Sequence, residues 1–257
     1  MNRSERALAS RGTLSGKFWR WVLGGSLTRP RALIRTWFRR LIIIFLLLIL
    51  SPIYLVPAYT IVAPQFTNLM LWRVAQGHGI SRQWISINDM SPNLINAVLS
   101  SEDGRFCLHN GVDWQAVEVV IDDLIDGGEP RGASTLTMQL MKNLFLWPSR
   151  SYIRKGLEVP LAMYGDLVWS KRRTAEIYLN VVEWGPGVYG AEAASRRYFG
   201  KTSARLSIKE ASLLATALPN PLRRNPRNPS EGHQRLASTV EARARKSGGL
   251  FSCTERT

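Results

Sequence analysis

The 257-residue chain carries 34 Lys or Arg against 19 Asp or Glu, a formal net charge of +15. That length holds one sizeable core with accessory segments, or at most two small domains. Ten of the cations crowd into residues 1–40 beside a single acid, Glu5. The basic balance is therefore not a spread nucleic-acid-binding face, and the two cysteines are too few for a disulfide framework.

Residues 1–40 read as a basic cytoplasmic segment. Leu41 to Ala63 then contains no charged residue, and its core reads LIIIFLLLIL. As helix, that run covers roughly 34 Å, enough for the hydrocarbon of a bilayer. It is too long and too deep in the chain for a cleaved signal peptide, and it lacks a clear A-x-A site. The run predicts a single transmembrane signal anchor over 41–63. Arg29, Arg31, Arg35, Arg39 and Arg40 precede it, which places the N-terminus in the cytoplasm and residues 64 onward outside. In an oxidising compartment Cys107 and Cys253 could pair, but the sequence assigns no bridge.

Residues 64–90 form a mixed connector, with Trp72 and Trp84 suited to a membrane interface. Ser91-Pro92 is a helix start, and Leu94, Ile95, Val98 and Leu99 follow at helical spacing over Asn93 to Ser101. Further helices fit Trp114–Ile125, Ser134–Phe145, Tyr152–Trp169, Arg172–Val182, Gly190–Tyr198 and Ile208–Leu218, with a loop over Gly127–Gly132. Pro160 should kink the helix over Tyr152–Trp169. No strand or internal repeat stands out. The tail, 227–257, reads as loosely ordered. The fold class is mainly α.

Three groups of residues can carry chemistry. Glu102 and Asp103 end an apolar helix and enter a loop with Arg105, Phe106, His109, Gly111 and Asp113. A carboxylate at an apolar rim has a raised pKa suited to acid–base work; the alternative is a pair of solvated helix-end charges. His109 suits a base, a metal ligand or a structural hydrogen bond. On a helix, Thr135, Gln139 and Lys142 fall at i, i+4 and i+7 and share a face that suits a sugar and its phosphate, or simply meets water. Arg154, Lys155 and Glu158 form either helix salt bridges or a preorganised diphosphate site.

In order and with these gaps, the segments ED-G-R-F-C-L-H-N-G-V-D, GASTLTMQ, RKGLE and YLN-x-x-E-W-G-x-G-x-x-G-x-E-A-A-x-x-x-F-G-K resemble the peptidoglycan glycosyltransferase family, from about Ser91 to Pro226. The resemblance implies a lysozyme-like helical domain over 91–226 that joins lipid-linked disaccharide-peptide units into glycan strands. It implies Glu102 as the base that activates the 4-hydroxyl of the acceptor, lipid II, and Glu158 as a second catalytic carboxylate. Lys142, Arg154 and Lys155 would neutralise the departing polyprenyl diphosphate, Thr135 and Gln139 would hold the donor, and Asp103 would support Glu102. No cofactor is fixed, though magnesium or manganese has a place at the diphosphate. The partners implied are lipid II, the growing strand, the inner membrane and other cell-wall synthesis proteins, with no nucleic acid. No Ser stands three residues before a Lys, so a Ser-x-x-K transpeptidase nucleophile is not expected. A lytic glycan hydrolase and a non-catalytic membrane scaffold are the rival readings. The first needs no diphosphate site, and the second needs neither Glu102 nor Lys142.

Overall fold

The computed structural model describes residues 30–127, 132–149 and 151–255. The basic segment 1–29, Arg29 included, and the interior of the loop expected over Gly127–Gly132 lie outside the described residues. Backbone contacts divide the chain after Tyr54.

Helix α1 spans Pro30–Ile49 and α2 spans Ser51–Ala58. Pro52 cannot donate back to Leu48, and α1 stops short of it. No single described helix is long and apolar enough to cross a membrane; Ile34–Ile49 and Ser51–Ala58 meet that test only as a bent pair. The unbroken helix expected over 41–63 is thus replaced by one that starts earlier, breaks at Leu50 and ends at Ala58.

The second unit, from Leu55, is mainly helical. It contains α3 (Asn68–Ala75), α4 (Pro92–Glu102), α5 (Trp114–Ile125), α6 (Leu136–Phe145), α7 (Tyr152–Val168), α8 (Lys171–Val181), α9 (Ala191–Phe199), α10 (Ile208–Ala217) and α11 (Glu231–Lys246). The chain punctuates them with side-chain caps. Thr67, Thr135, Ser151, Ser170 and Ser230 each accept a first-turn N–H, and Ser207 with Glu210 forms a reciprocal capping box. Each such cap contributes about 1 kcal/mol.

Helices α4, α10 and α11 pack on one another, and α6 packs on α7 and α8. Leu94, Leu99, Phe106, Leu136, Leu140, Met141, Ile177, Tyr178 and Trp184 are fully buried in one core. Burying each large apolar side chain favours the fold by about 1.5–3 kcal/mol. This core fixes the C-terminal end of α4 against the N-terminal half of α6, where the site lies.

Two departures from the sequence reading stand out. Short strands β1 (Ser81–Arg82), β2 (Glu183–Gly185) and β3 (Val188–Tyr189) form a sheet in the order β1-β3-β2. Two or three residues are too few for an alternating pattern to show. The tail is ordered as α11, which buries His233, Ala237, Val240 and Ala244, followed by a 3-10 turn over Gly248–Thr254. The basic composition concealed that stripe of small residues at helical spacing. The tail is also tied down by a disulfide between Cys253 and Cys107. Helix α7 carries Pro160 inside it and runs on as one helix. The Gly156 carbonyl, which loses the Pro160 N–H as a partner, belongs to an exposed residue open to solvent.

Candidate active site

Glu102 is the last residue of α4, and Asp103 closes the helix with its N–H on the Leu99 carbonyl. The Glu102 Oε2 accepts a hydrogen bond from Gln139 Nε2 at 3.0 Å, and Oε1 accepts one from Ser101 Oγ at 3.4 Å. The Gln139 Oε1 in turn accepts the Tyr178 hydroxyl at 3.0 Å. That last bond orients the amide, so its NH₂ must face the carboxylate. Burial pushes the Glu102 pKa above the ordinary carboxylate value; hydrogen bonds from Gln139 and Ser101 and the charges of Lys142 and Arg224 oppose the shift without cancelling it. A carboxylate so placed holds a proton more readily than a solvated one, which suits a base.

Asp103 is buried and fully engaged. It accepts the Leu136 N–H at 2.8 Å, capping α6, and His109 Nε2 at 3.0 Å. It fastens the loop after Glu102 to the start of α6, which fits support of Glu102. His109 has the same structural part, and the Lys171 ammonium donates to its carbonyl at 2.5 Å. Arg105 pairs with Asp113 at 2.9 Å across the same loop. Gly111, at φ +78°, lies so close to α7 that a Cβ would sit 2.4 Å from the Ala162 carbonyl oxygen. Only glycine meets both demands.

Thr135 departs from its expected place. It does not share a helix face with Gln139 and Lys142. It is the N-cap of α6, where its hydroxyl accepts the Met138 N–H and donates to the Gly111 carbonyl at 2.6 Å. A capping threonine and a face-lining threonine look alike in sequence, and the orphan N–H groups of the helix start decided the matter. Gln139 and Lys142, one turn apart on α6, do lie together. They line a groove of about 320 Å³ with Asn143, Arg154, Arg73 and Glu183. The Lys142 ammonium has no hydrogen bond or ion pair among the described residues. Burial and the nearby Arg154 lower its pKa, and the charge of Glu102 opposes them.

Glu158 is buried on α7 and forms ion pairs with both Arg154 and Lys155. The Lys155 Nζ donates to Glu158 Oε2 at 2.8 Å and to Ser134 Oγ at 2.6 Å, linking α7 to the loop before α6. Burial, then the charges of Arg154 and Lys142, bring the Lys155 pKa down to about 8. The three cations are thus close enough to repel one another, and one carboxylate, Glu158, holds two of them, Arg154 and Lys155. Of the three, Lys142 and Arg154 line the groove.

A second cavity, of about 350 Å³, opens on the other side. Glu102, Asp103, Ser134, Thr135 and Arg243 are among the residues lining it. Glu102 faces this cavity, and Gln139, bonded to it, faces the cationic groove. The arrangement suits two ligands meeting at one carboxylate, one of them anionic. Among the described residues no group of three His, Cys, Asp or Glu is placed to hold a metal ion. The groups on the groove are mainly cationic, and Glu158 is ion-paired with Arg154 and Lys155.

Sequence reasoning missed four contributors. Tyr178 lies within the YLN segment but reads as an ordinary core aromatic. The Arg73–Glu183 pair, at 3.0 Å, joins residues 110 positions apart. Arg224 and Arg243 sit in basic stretches with no diagnostic spacing.

The Transglycosylase family model matches residues 70–245. The chain is 49% identical over 221 residues to a protein of Agrobacterium fabrum named biosynthetic peptidoglycan transglycosylase, covering 85% of this chain and 97% of that one. A protein of the same name from Brucella suis is 50% identical over 214 residues, 82% of this chain and 95% of its own. One from Nitrobacter winogradskyi is 52% identical over 199 residues, 77% and 88% respectively.

Proposed function

The chain belongs to the transglycosylase family, and we propose that it polymerises lipid II into β-1,4-linked glycan strands for the cell wall. The observation that carries this reading is the half-buried Glu102 carboxylate between a cationic groove and a second cavity.

In this reading the growing lipid-linked strand lies in the groove and lipid II enters from the Glu102 side. Glu102 removes the proton from the acceptor 4-hydroxyl, which is a poor nucleophile until it is deprotonated. The freed oxygen attacks the donor anomeric carbon as the bond from that carbon to the diphosphate oxygen breaks. The electron pair leaves with the polyprenyl diphosphate, and the configuration inverts. Lys142 and Arg154 meet the growing charge directly. Lys155, tied to Ser134, completes the cationic field, and Glu158 holds the two α7 cations in position. Gln139 fixes the orientation of the base and contacts the donor. Lys142, free of any protein partner among the described residues, is the cation readiest to bind phosphate. The proton ends on Glu102 and passes to water.

We read the helical domain as lysozyme-like and the uncharged run near the N-terminus as a membrane anchor. Its apolar side chains from Ile34 to Ile53 are largely exposed, the pattern of a segment whose solvent is lipid. An anchor suits an enzyme whose substrates both carry lipid tails. It puts the catalytic domain outside the cytoplasmic face of the inner membrane, near other cell-wall synthesis proteins. Lacking a Ser-x-x-K motif, the chain polymerises without crosslinking.

The test is polymerisation of lipid II by the full chain in lipid vesicles. Glycan polymer is expected. Shortening of preformed strands with no polymer would replace this reading by a lytic hydrolase, and neither activity would leave a scaffold.

A further inference from the structure

Beside the cationic groove lies another cavity, of about 480 Å³, and Pro221 lines both. Arg197, in the last turn of α9, and Arg223, Arg224 and Arg227, on the segment after α10, all line it, and no acidic residue does. Among the described residues none of the four has a carboxylate partner. The neighbouring Arg196 does: it pairs with Glu192 at 2.7 Å. Arg224 is aimed by its own bond, from Nη1 to the Thr216 carbonyl at 2.5 Å, and its charge is felt at Glu102. Like charges around one space repel until an anion enters it, and guanidinium forks match carboxylates and phosphates.

We propose that this pocket binds the carboxylates of the peptide borne by the glycan substrate. The proposal rests on the transglycosylase reading above. The diphosphate already has Lys142 and Arg154. The pocket adjoins the groove through Pro221, and Arg224 lies within electrostatic range of the base. A strand seated at Glu102 therefore passes this pocket, and its peptide carboxylates are the next anions along it. The pocket would favour substrates with free carboxylates over amidated ones and would hold the strand between additions.

The experiment compares the full-length parent with an Arg223→Gln/Arg227→Gln double variant. Both residues are exposed and anchor nothing, so the fold should persist, which circular dichroism checks. Dissociation constants are measured for fluorescent lipid II with free peptide carboxylates and for the same compound with those carboxylates amidated. The parent should prefer the free form, and the double variant should lose about fivefold of that preference, the size set by two exposed charge pairs. An equal preference in parent and variant overturns the proposal. So does a loss seen only in sedimentation with phosphatidylglycerol vesicles, which would make the pocket a headgroup site. Polymerisation is assayed alongside. A retained binding preference without any polymer would sink the enzymatic reading and leave the pocket standing.

Discussion

The Gln139 amide donates to the Glu102 carboxylate at 3.0 Å, and the bond lies between two cavities. One residue of the pair faces the cationic groove and the other faces the second cavity. Tyr178, fully buried, holds the amide from behind. The base is therefore aimed from the core through two hydrogen bonds, while the loop that follows it is fastened to α6 by Asp103.

Glu102→Gln should abolish most polymerisation, by about a hundredfold or more, because the amide cannot take the proton. The fold should gain. The native Glu102 pKa lies above the unfolded one, so the folded state binds its proton more tightly. Stability from this group is present below the ordinary carboxylate value and is lost as pH rises through the raised native value. At neutral pH the ionised carboxylate is a cost that the neutral amide removes. Thermal melting at pH 7.5 should rise slightly in the variant while activity falls. A variant that polymerises lipid II at the parent rate would remove Glu102 from the mechanism.

The pH profile should be a bell. Its acid limb reports ionisation of Glu102, above the usual carboxylate range. Its alkaline limb should fall near 8, where Lys155 loses its charge. Gln139→Leu removes a hydrogen bond that favours the ionised base, so the acid limb should move to higher pH while the alkaline limb stays. Rates of lipid II consumption between pH 5 and 9.5 measure both limbs. An acid limb that stays put would mean that another group sets it.

Helix α5 agrees with its sequence expectation at both ends because its apolar stripe is long and uninterrupted. The pairing of Gln139 with Lys142 on one helix, and of Arg154 and Lys155 with Glu158, was also legible, since each set belongs to one patterned local segment. What escaped notice depends on tertiary context. Thr135 reads as a helix-face residue until its place at the very start of α6 is known. Glu183 gains meaning only through Arg73, far away in sequence. The small stripe of α11 carries too little hydrophobicity to outweigh its charges, and packing against α4 and α10 is what orders it.

Removing Glu158 should damage fold and chemistry together. The carboxylate is 3% exposed and compensates two cations that already repel each other. Breaking such a pair costs about 3 kcal/mol, since a charge is left uncompensated. Glu158→Gln should therefore lower the urea midpoint and shift the alkaline limb of the rate below 8, as Lys155 loses its counter-charge. Glu158→Asp, which keeps the charge on a shorter arm, should recover stability better than rate. If the glutamine variant kept both parental stability and parental rate, Glu158 would be a bystander.

The Cys107–Cys253 disulfide joins residues 146 positions apart and fastens the C-terminal turn to the short 3-10 turn after Glu102. Closing so long a loop restricts the unfolded chain, and losing the link should cost about 3 kcal/mol. The link also backs Phe106, which packs edge-on against His109, the partner of Asp103. A Cys107→Ser/Cys253→Ser variant should melt several degrees lower, and dithiothreitol should lower the parent to match while leaving the variant where it is. Polymerisation at 25 °C should fall less than stability, because Asp103 keeps its bond to the Leu136 N–H without the bridge. Equal melting temperatures for the oxidised parent and the variant would show that α11 holds itself in place by packing alone.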